Sequence, residues 1–149
     1  MRIVFAGLFS LLATGSAFAS GGISCTGDDS KAKFEVGGGV THGMGGPLFN
    51  FEGSIEVLDK SVAEDLRKIS VTREHVAQYW LDGQDLRLVI YRERAEGDHG
   101  YVELTIRTQV SEEGVYGGGY ELVVFDTKGD TTGEGKRVEI KNTTSCFVE

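Results

Sequence analysis

Along most of this chain apolar and polar residues alternate one by one, the pattern of strands with one buried face. The run "LFNFEGSIEVLD" shows it best, with Phe49, Phe51, Gly53, Ile55 and Val57 predicted on one side. "KAKFEV" pairs Phe34 with Val36, and "YVELTIRTQV" turns Val102, Leu104 and Ile106 inward with Glu103, Thr105 and Arg107 outward. "HVAQYWLDGQDLRLVIYRE" reads as two β-rich runs about Asp82-Gly83, a hairpin signature, with Leu86, Leu88 and Ile90 on one face and Arg87 opposite. "GYELVVFD" and "KRVEIK" supply two more strands, and "SCFVE" a last one.

Helical signals are few. "SVAEDLRKI" opens with Ser61 three residues before Glu64, a capping-box spacing, and Val62, Leu66 and Ile69 recur on a helical face. Thr72 is placed to cap a second, shorter turn, with strand from about Val76 onward. One proline against 22 glycines makes the glycines turn and bulge material rather than a disordered linker. The predicted fold is all-β: an antiparallel sandwich or barrel of seven to eight strands with one short helix.

The N-terminus carries an address. Arg2 precedes the uncharged run "IVFAGLFSLLATGSAFA", which ends in the small-x-small signal Ala17-Phe18-Ala19. That is the layout of a secretory signal peptide cleaved after Ala19. Its apolar core is shorter than the roughly 20 residues of a membrane span, so residues 20–149 are expected to form a single β domain in the periplasm or outside the cell, with no membrane span. In an oxidising compartment the two cysteines, Cys25 and Cys146, have each other as natural partners and would staple the first strand to the last. Closing so long a loop stabilises a fold by about 4–5 kcal/mol in the chain-entropy model.

Charge narrows the partners. The chain holds 15 basic and 23 acidic residues, a formal net charge of −8. Such a molecule repels nucleic acid and anionic lipid at long range and attracts basic proteins. No basic stripe marks a nucleic-acid face.

The residues do not spell an enzyme. No serine sits in a nucleophile elbow, and Glu93, Glu96 and Asp98 beside His99 occupy a polar hairpin tip where ordinary hydrated charges are expected. The glycines of "EEGVYGGGYELVVFDTKGD" precede a strand, and Lys128 is followed by glycine, so they are no phosphate loop. Asp126, Asp130 and Glu134 read as a solvated hairpin end, because Lys128 and Thr131 stand where a calcium loop needs an oxygen ligand and a glycine. His42 and Met44 are too small a set for a copper site. No cofactor or metal is expected. Trp80, Tyr79 and Tyr91 are candidates for a sugar-stacking platform, although core and edge packing explains them as well.

Two readings of the glycine stretch remain: a flexible hairpin connection with no partner, and a recognition loop. Glycines let a backbone lie close against a partner, Tyr116 and Tyr120 offer rigid contact area, and Lys128 adds a charge. Here the chain resembles the bacterial periplasmic lysozyme inhibitors of the C-type and I-type groups, which carry Ser-Gly-x-x-Tyr followed by Tyr-x-x-x-Thr-Lys-Gly. Gly117-Gly118-Gly119-Tyr120 fits the first motif, with Tyr116 in place of its serine, and Thr127-Lys128-Gly129 fits the end of the second after a longer spacer. The resemblance implies a non-enzymatic inhibitor that inserts this loop into a lysozyme cleft, where Tyr120 and Lys128 compete with sugar for the two catalytic carboxylates. A basic lysozyme would also be attracted to an acidic inhibitor. A small carbohydrate- or lipid-binding β-sandwich and an envelope structural domain, pairing edge to edge as a homodimer, are the alternatives.

Overall fold

A computed structural model describes residues 20–41 and 48–149. The predicted leader, and His42 and Met44, lie outside the described residues. The strands are β1 (Ser20–Asp28), β2 (Ala32–Thr41), β3 (Leu48–Val57), β4 (Lys68–Thr72), β5 (Val76–Leu81), β6 (Asp85–Glu93), β7 (Gly100–Glu112), β8 (Val115–Asp126) and β9 (Lys136–Val148). One short helix, α1 (Glu64–Arg67), lies between β3 and β4.

All nine strands join one antiparallel sheet in the order β4-β3-β2-β1-β9-β8-β7-β6-β5. Chain neighbours are therefore sheet neighbours except β4 and β5, and the single long-range pairing among the described residues is β1 with β9. It curls the sheet into a near-closed barrel. The strand count exceeds the expected seven to eight for a local reason. With nine alternating strands, the two at the ends of the sheet, β4 and β5, run in the same direction. They are joined only by the 3₁₀ turn Arg73–His75. Together they act as one strand that changes partner, β4 bonding β3 and β5 bonding β6. Arginine side chains add hydrogen bonds near this partner change: Arg92 donates to the Ser70 carbonyl, and Arg73 Nε to the Leu48 carbonyl at 3.0 Å. Thr72 caps the turn, its N–H donating to His75 Nδ1 at 3.0 Å.

An antiparallel barrel of about eight strands has an interior that side chains can fill. Here Leu86, Leu88 and Ile90 of β6, Val102, Leu104 and Ile106 of β7, and Leu122 of β8 are essentially fully buried. Each such side chain contributes about 1.5–3 kcal/mol of burial. Cys25 and Cys146 face each other across the β1–β9 ladder and are disulfide-bonded, inside the barrel. That ladder holds four residue pairs, the fewest of any in the sheet, so the covalent bond reinforces the pairing with least hydrogen bonding and a sequence separation of 121.

Four local expectations differ from the structure. Phe49 does not share the face of Phe51: it is exposed while Leu48 and Phe51 are buried. Asn50 adopts a positive φ of 47° and the β2–β3 register shifts between Gly37 and Gly39, so the alternation skips there. Ser61 caps nothing; its own N–H donates to Asp59 Oδ1 at 2.8 Å, and the helix begins after Ala63 and lasts four residues. Ile69 belongs to β4, where it pairs with Ile55, because a ladder on β3 outweighs further turns of so short a helix. "SCFVE" is the end of β9 rather than a separate strand.

Candidate functional site at the lysine-bearing end

The largest correction concerns the glycine-tyrosine segment. Tyr116, Gly117, Gly118, Gly119 and Tyr120 form no loop. They lie within β8, paired to Val110–Ile106 of β7 on one side and to Cys146–Asn142 of β9 on the other. Tyr116 and Tyr120 point into the barrel and are 5% and 3% exposed. The Tyr120 ring meets Phe34 edge-on at 4.9 Å, and its hydroxyl donates to Asp29 Oδ2. Burial, then this carboxylate, push the phenol well above its usual range. Asn142 Nδ2 also donates to Asp29 at 3.0 Å, so the β1–β2 turn is latched to the barrel wall.

Thr127, Lys128 and Gly129 stand elsewhere, in the β8–β9 connection at the end of the barrel that also carries α1 and the β6–β7 turn. The structure thus separates the eight predicted contact residues into five in the wall and three at a tip. The tip is firmly rooted. Thr127 donates twice to the His99 carbonyl, through N–H at 2.9 Å and Oγ1 at 2.8 Å. The Lys128 N–H donates to Asp126 Oδ1 at 2.8 Å. Asp130 accepts from the Thr132 N–H and hydroxyl at 2.8 and 2.7 Å and from the Gly135 N–H. These donors hold its carboxyl down at about 2. Gly129, with φ of 74°, supplies the left-handed bend.

Beneath the tip lies a charged clamp that includes Asp126, a residue expected from the sequence to be solvated. Arg94, in the β6–β7 turn, has a side chain only 7% exposed. It grips Asp126 with two hydrogen bonds of 2.8 and 3.0 Å, meets Asp65 of α1 through Nε, and donates to the Asp98 carbonyl at 2.7 Å. The guanidinium holds both carboxyls below their usual range, and they raise its own. Bidentate pairing of this kind fixes orientation as well as charge. It locks α1 across the end of the barrel, where Val62 and Leu66 are buried.

Next to this clamp opens a pocket of about 320 Å³ with Val62, Val124 and Val138 in its wall and Lys60, Lys128 and Lys136 among its lining. Three separate segments supply the lysines: the β3–β4 connection, the hairpin tip and the start of β9. Lys60 carried no sequence signal, and Lys136 stood out only as the start of the strand run "KRVEIK". Lys136 Nζ is oriented by the Ser61 carbonyl, 2.8 Å away. Asp126 also lines the pocket, but both its oxygens are committed to Arg94 and the Lys128 N–H.

The other candidates are not brought together. Tyr79 is half-buried against the core, while its neighbour Trp80 faces outward, 55% exposed, with Nε1 donating to Asp82 at 3.2 Å. Tyr91 sits apart, its ring 5.1 Å from Tyr101, which stacks on Phe125 at 5.5 Å. His99 joins that outer aromatic group, 5.9 Å from Tyr101 and 5.8 Å from Phe125. Glu93 accepts from the Tyr91 hydroxyl at 2.8 Å.

The fold class is therefore an antiparallel, cystine-linked, near-closed β-barrel whose one end is a clamped, lysine-rimmed cap. No protein-family model, curated protein or solved structure matches the chain.

Proposed function

We propose that this protein is an exported, non-enzymatic binding protein that meets its partner with the lysine-bearing end of the barrel. One observation carries the reading. In a chain of net charge −8, Lys128 stands on an anchored tip, Lys136 follows at the base of the same hairpin, and Lys60 joins them from the distant β3–β4 connection. A local cationic point on an acidic body suits a basic partner with a recessed acidic site: the bulk charges attract, and the lysines fit the recess. A lysozyme, with two catalytic carboxylates in a cleft, is a partner of this kind. The Thr127-Lys128-Gly129 part of the inhibitor resemblance supports that choice. Tyr120 takes no part in contact, because its hydroxyl is spent on Asp29.

The test is lytic activity of c-, g- and i-type lysozymes with the purified protein and with Lys128→Glu. Inhibition by the parent protein that Lys128→Glu abolishes is expected. Full activity of the whole panel at micromolar protein refutes the lysozyme assignment.

A further inference from the structure

We propose that the pocket beside the hairpin binds a small organic anion: a carboxylate or phosphate monoester carried on a short alkyl chain. The pocket joins two chemistries that a plain salt-bridge surface does not combine. Its rim has three ammonium groups, from Lys60, Lys128 and Lys136. Its wall has Val62 and Val124, both buried side chains of the barrel and its plug, and the half-buried Val138. An alkyl chain would cover the apolar surface still open there, chiefly that of Val138, and a charged head would satisfy the ammonium donors.

The charge count leaves the rim available. Among the described residues, salt bridges employ Lys33, Lys141, Arg87, Arg94 and Arg137, and none of the three rim lysines. Asp126, the carboxylate in the lining, is held by Arg94. Asp59 lies close enough to Lys136 for that charge to help depress its carboxyl, though its main partner is Ser61. Lys128 likewise lies close enough to Asp65 and Asp126 to help depress their carboxyls, so with Arg94 the surroundings hold four cations against three carboxylates, which leaves one net positive charge for an anion to meet. The geometry is also prepared in advance. Lys136 is aimed by the Ser61 carbonyl and the tip by Thr127 and Asp126, so little ordering cost remains for a ligand. A volume of about 320 Å³ is at the small end of ordinary ligand pockets.

This proposal shares Lys128 with the partner face but does not depend on any partner protein. The disulfide-intact barrel is titrated with hexanoate, hexyl phosphate, inorganic phosphate and hexanol, and backbone amide shifts are followed by NMR. Saturable shifts at residues 60–63, 128 and 136–138 are expected with the two amphiphilic anions. The tighter of them identifies the preferred head group. Inorganic phosphate and hexanol are expected to bind at least tenfold more weakly, and added salt to weaken the anions. Lys60→Gln with Lys128→Gln removes two cations and no side-chain hydrogen bond. It should lower anion affinity at least tenfold with the midpoint of thermal unfolding unchanged. Absence of saturable shifts at those residues, equal binding of hexanol, or unchanged affinity in the double variant would overturn the proposal. A failed lysozyme panel leaves each of these readings intact, and lysozyme inhibition without anion shifts sinks only the pocket.

Discussion

Replacing Gly118 by alanine is the sharpest test of where the glycine stretch lies. A Cβ at this position would stand 2.2 Å from the Arg107 carbonyl oxygen and 2.7 Å from Thr108 Cα. Ordinary C···O approach is about 3.3 Å or more, so the paired backbone must retreat by about 1 Å. Both clashing atoms belong to β7 main chain, which no rotamer change can move aside. Overpacking of this kind costs about 1–3 kcal/mol, and each ladder bond stretched in the retreat adds about 1 kcal/mol. A destabilisation of about 3–4 kcal/mol follows, a large part of the 5–15 kcal/mol that holds an ordinary domain together. The neighbours are internal controls. A Cβ on Gly117 meets nothing nearer than Ser111 Oγ at 3.9 Å, and one on Gly119 only the Asn142 carbonyl at 3.4 Å. Those alanines should change stability by less than about 1 kcal/mol, because they also restrict the unfolded chain. Urea unfolding of the three oxidised variants, fitted with a common m-value, measures the difference. Three equal and mild effects would refute the placement of this stretch between β7 and β9, and with it the buried setting of both tyrosines.

Further expectations come from the clamp and the latch. Arg94→Met leaves Asp65 and Asp126 facing one another without their cation and should cost about 3 kcal/mol, the low end for a buried pair because Asp65 is partly solvated; calorimetry reads it, and Arg94→Met with Asp126→Leu should regain part of the loss. Tyr120→Phe removes one hydrogen bond to a charged carboxylate and should cost about 1.5–2 kcal/mol, with Asp29 still held by Asn142. Asp29, Asp65 and Asp126 have folded-state carboxyls below the ordinary 3.8. Their contribution is full above that value and is lost as pH falls through the lower folded values. Stability should therefore drop on acidification below about pH 4, and Asp126→Asn should flatten the profile there.

Much of the wall was legible because its alternation is uninterrupted. The Asp82–Gln84 turn, with Gly83 at a φ of 87°, and the inward rows of β6 and β7 follow directly from period-two spacing. The glycine triplet misled because glycine serves turns and crowded strands alike. The correcting signal was present: Tyr116, Gly118, Tyr120, Leu122 and Val124 keep one parity, so the strand pattern runs through the triplet. The same holds for Val36, Gly38 and Val40, whose parity survives the register shift because the extra residue lies on β3. The lysine pocket was not legible, since only closure of the barrel brings Lys60 beside Lys128 and Lys136. Arg94 gave no local sign of burial; a turn of polar residues looks hydrated until α1 folds over it. The left-handed Asn50 likewise hides in a run whose composition is pure strand.

The pairing of Ile23 with Val148 puts Ser20 and Glu149 at one pole of the molecule, while β8 and β9 carry the hairpin to the other. Anything attached after Glu149, whether a bead, a surface or a fused domain, therefore holds the barrel with its cationic cap facing outward. Immobilisation by a C-terminal tag presents the very pole whose contacts are to be measured.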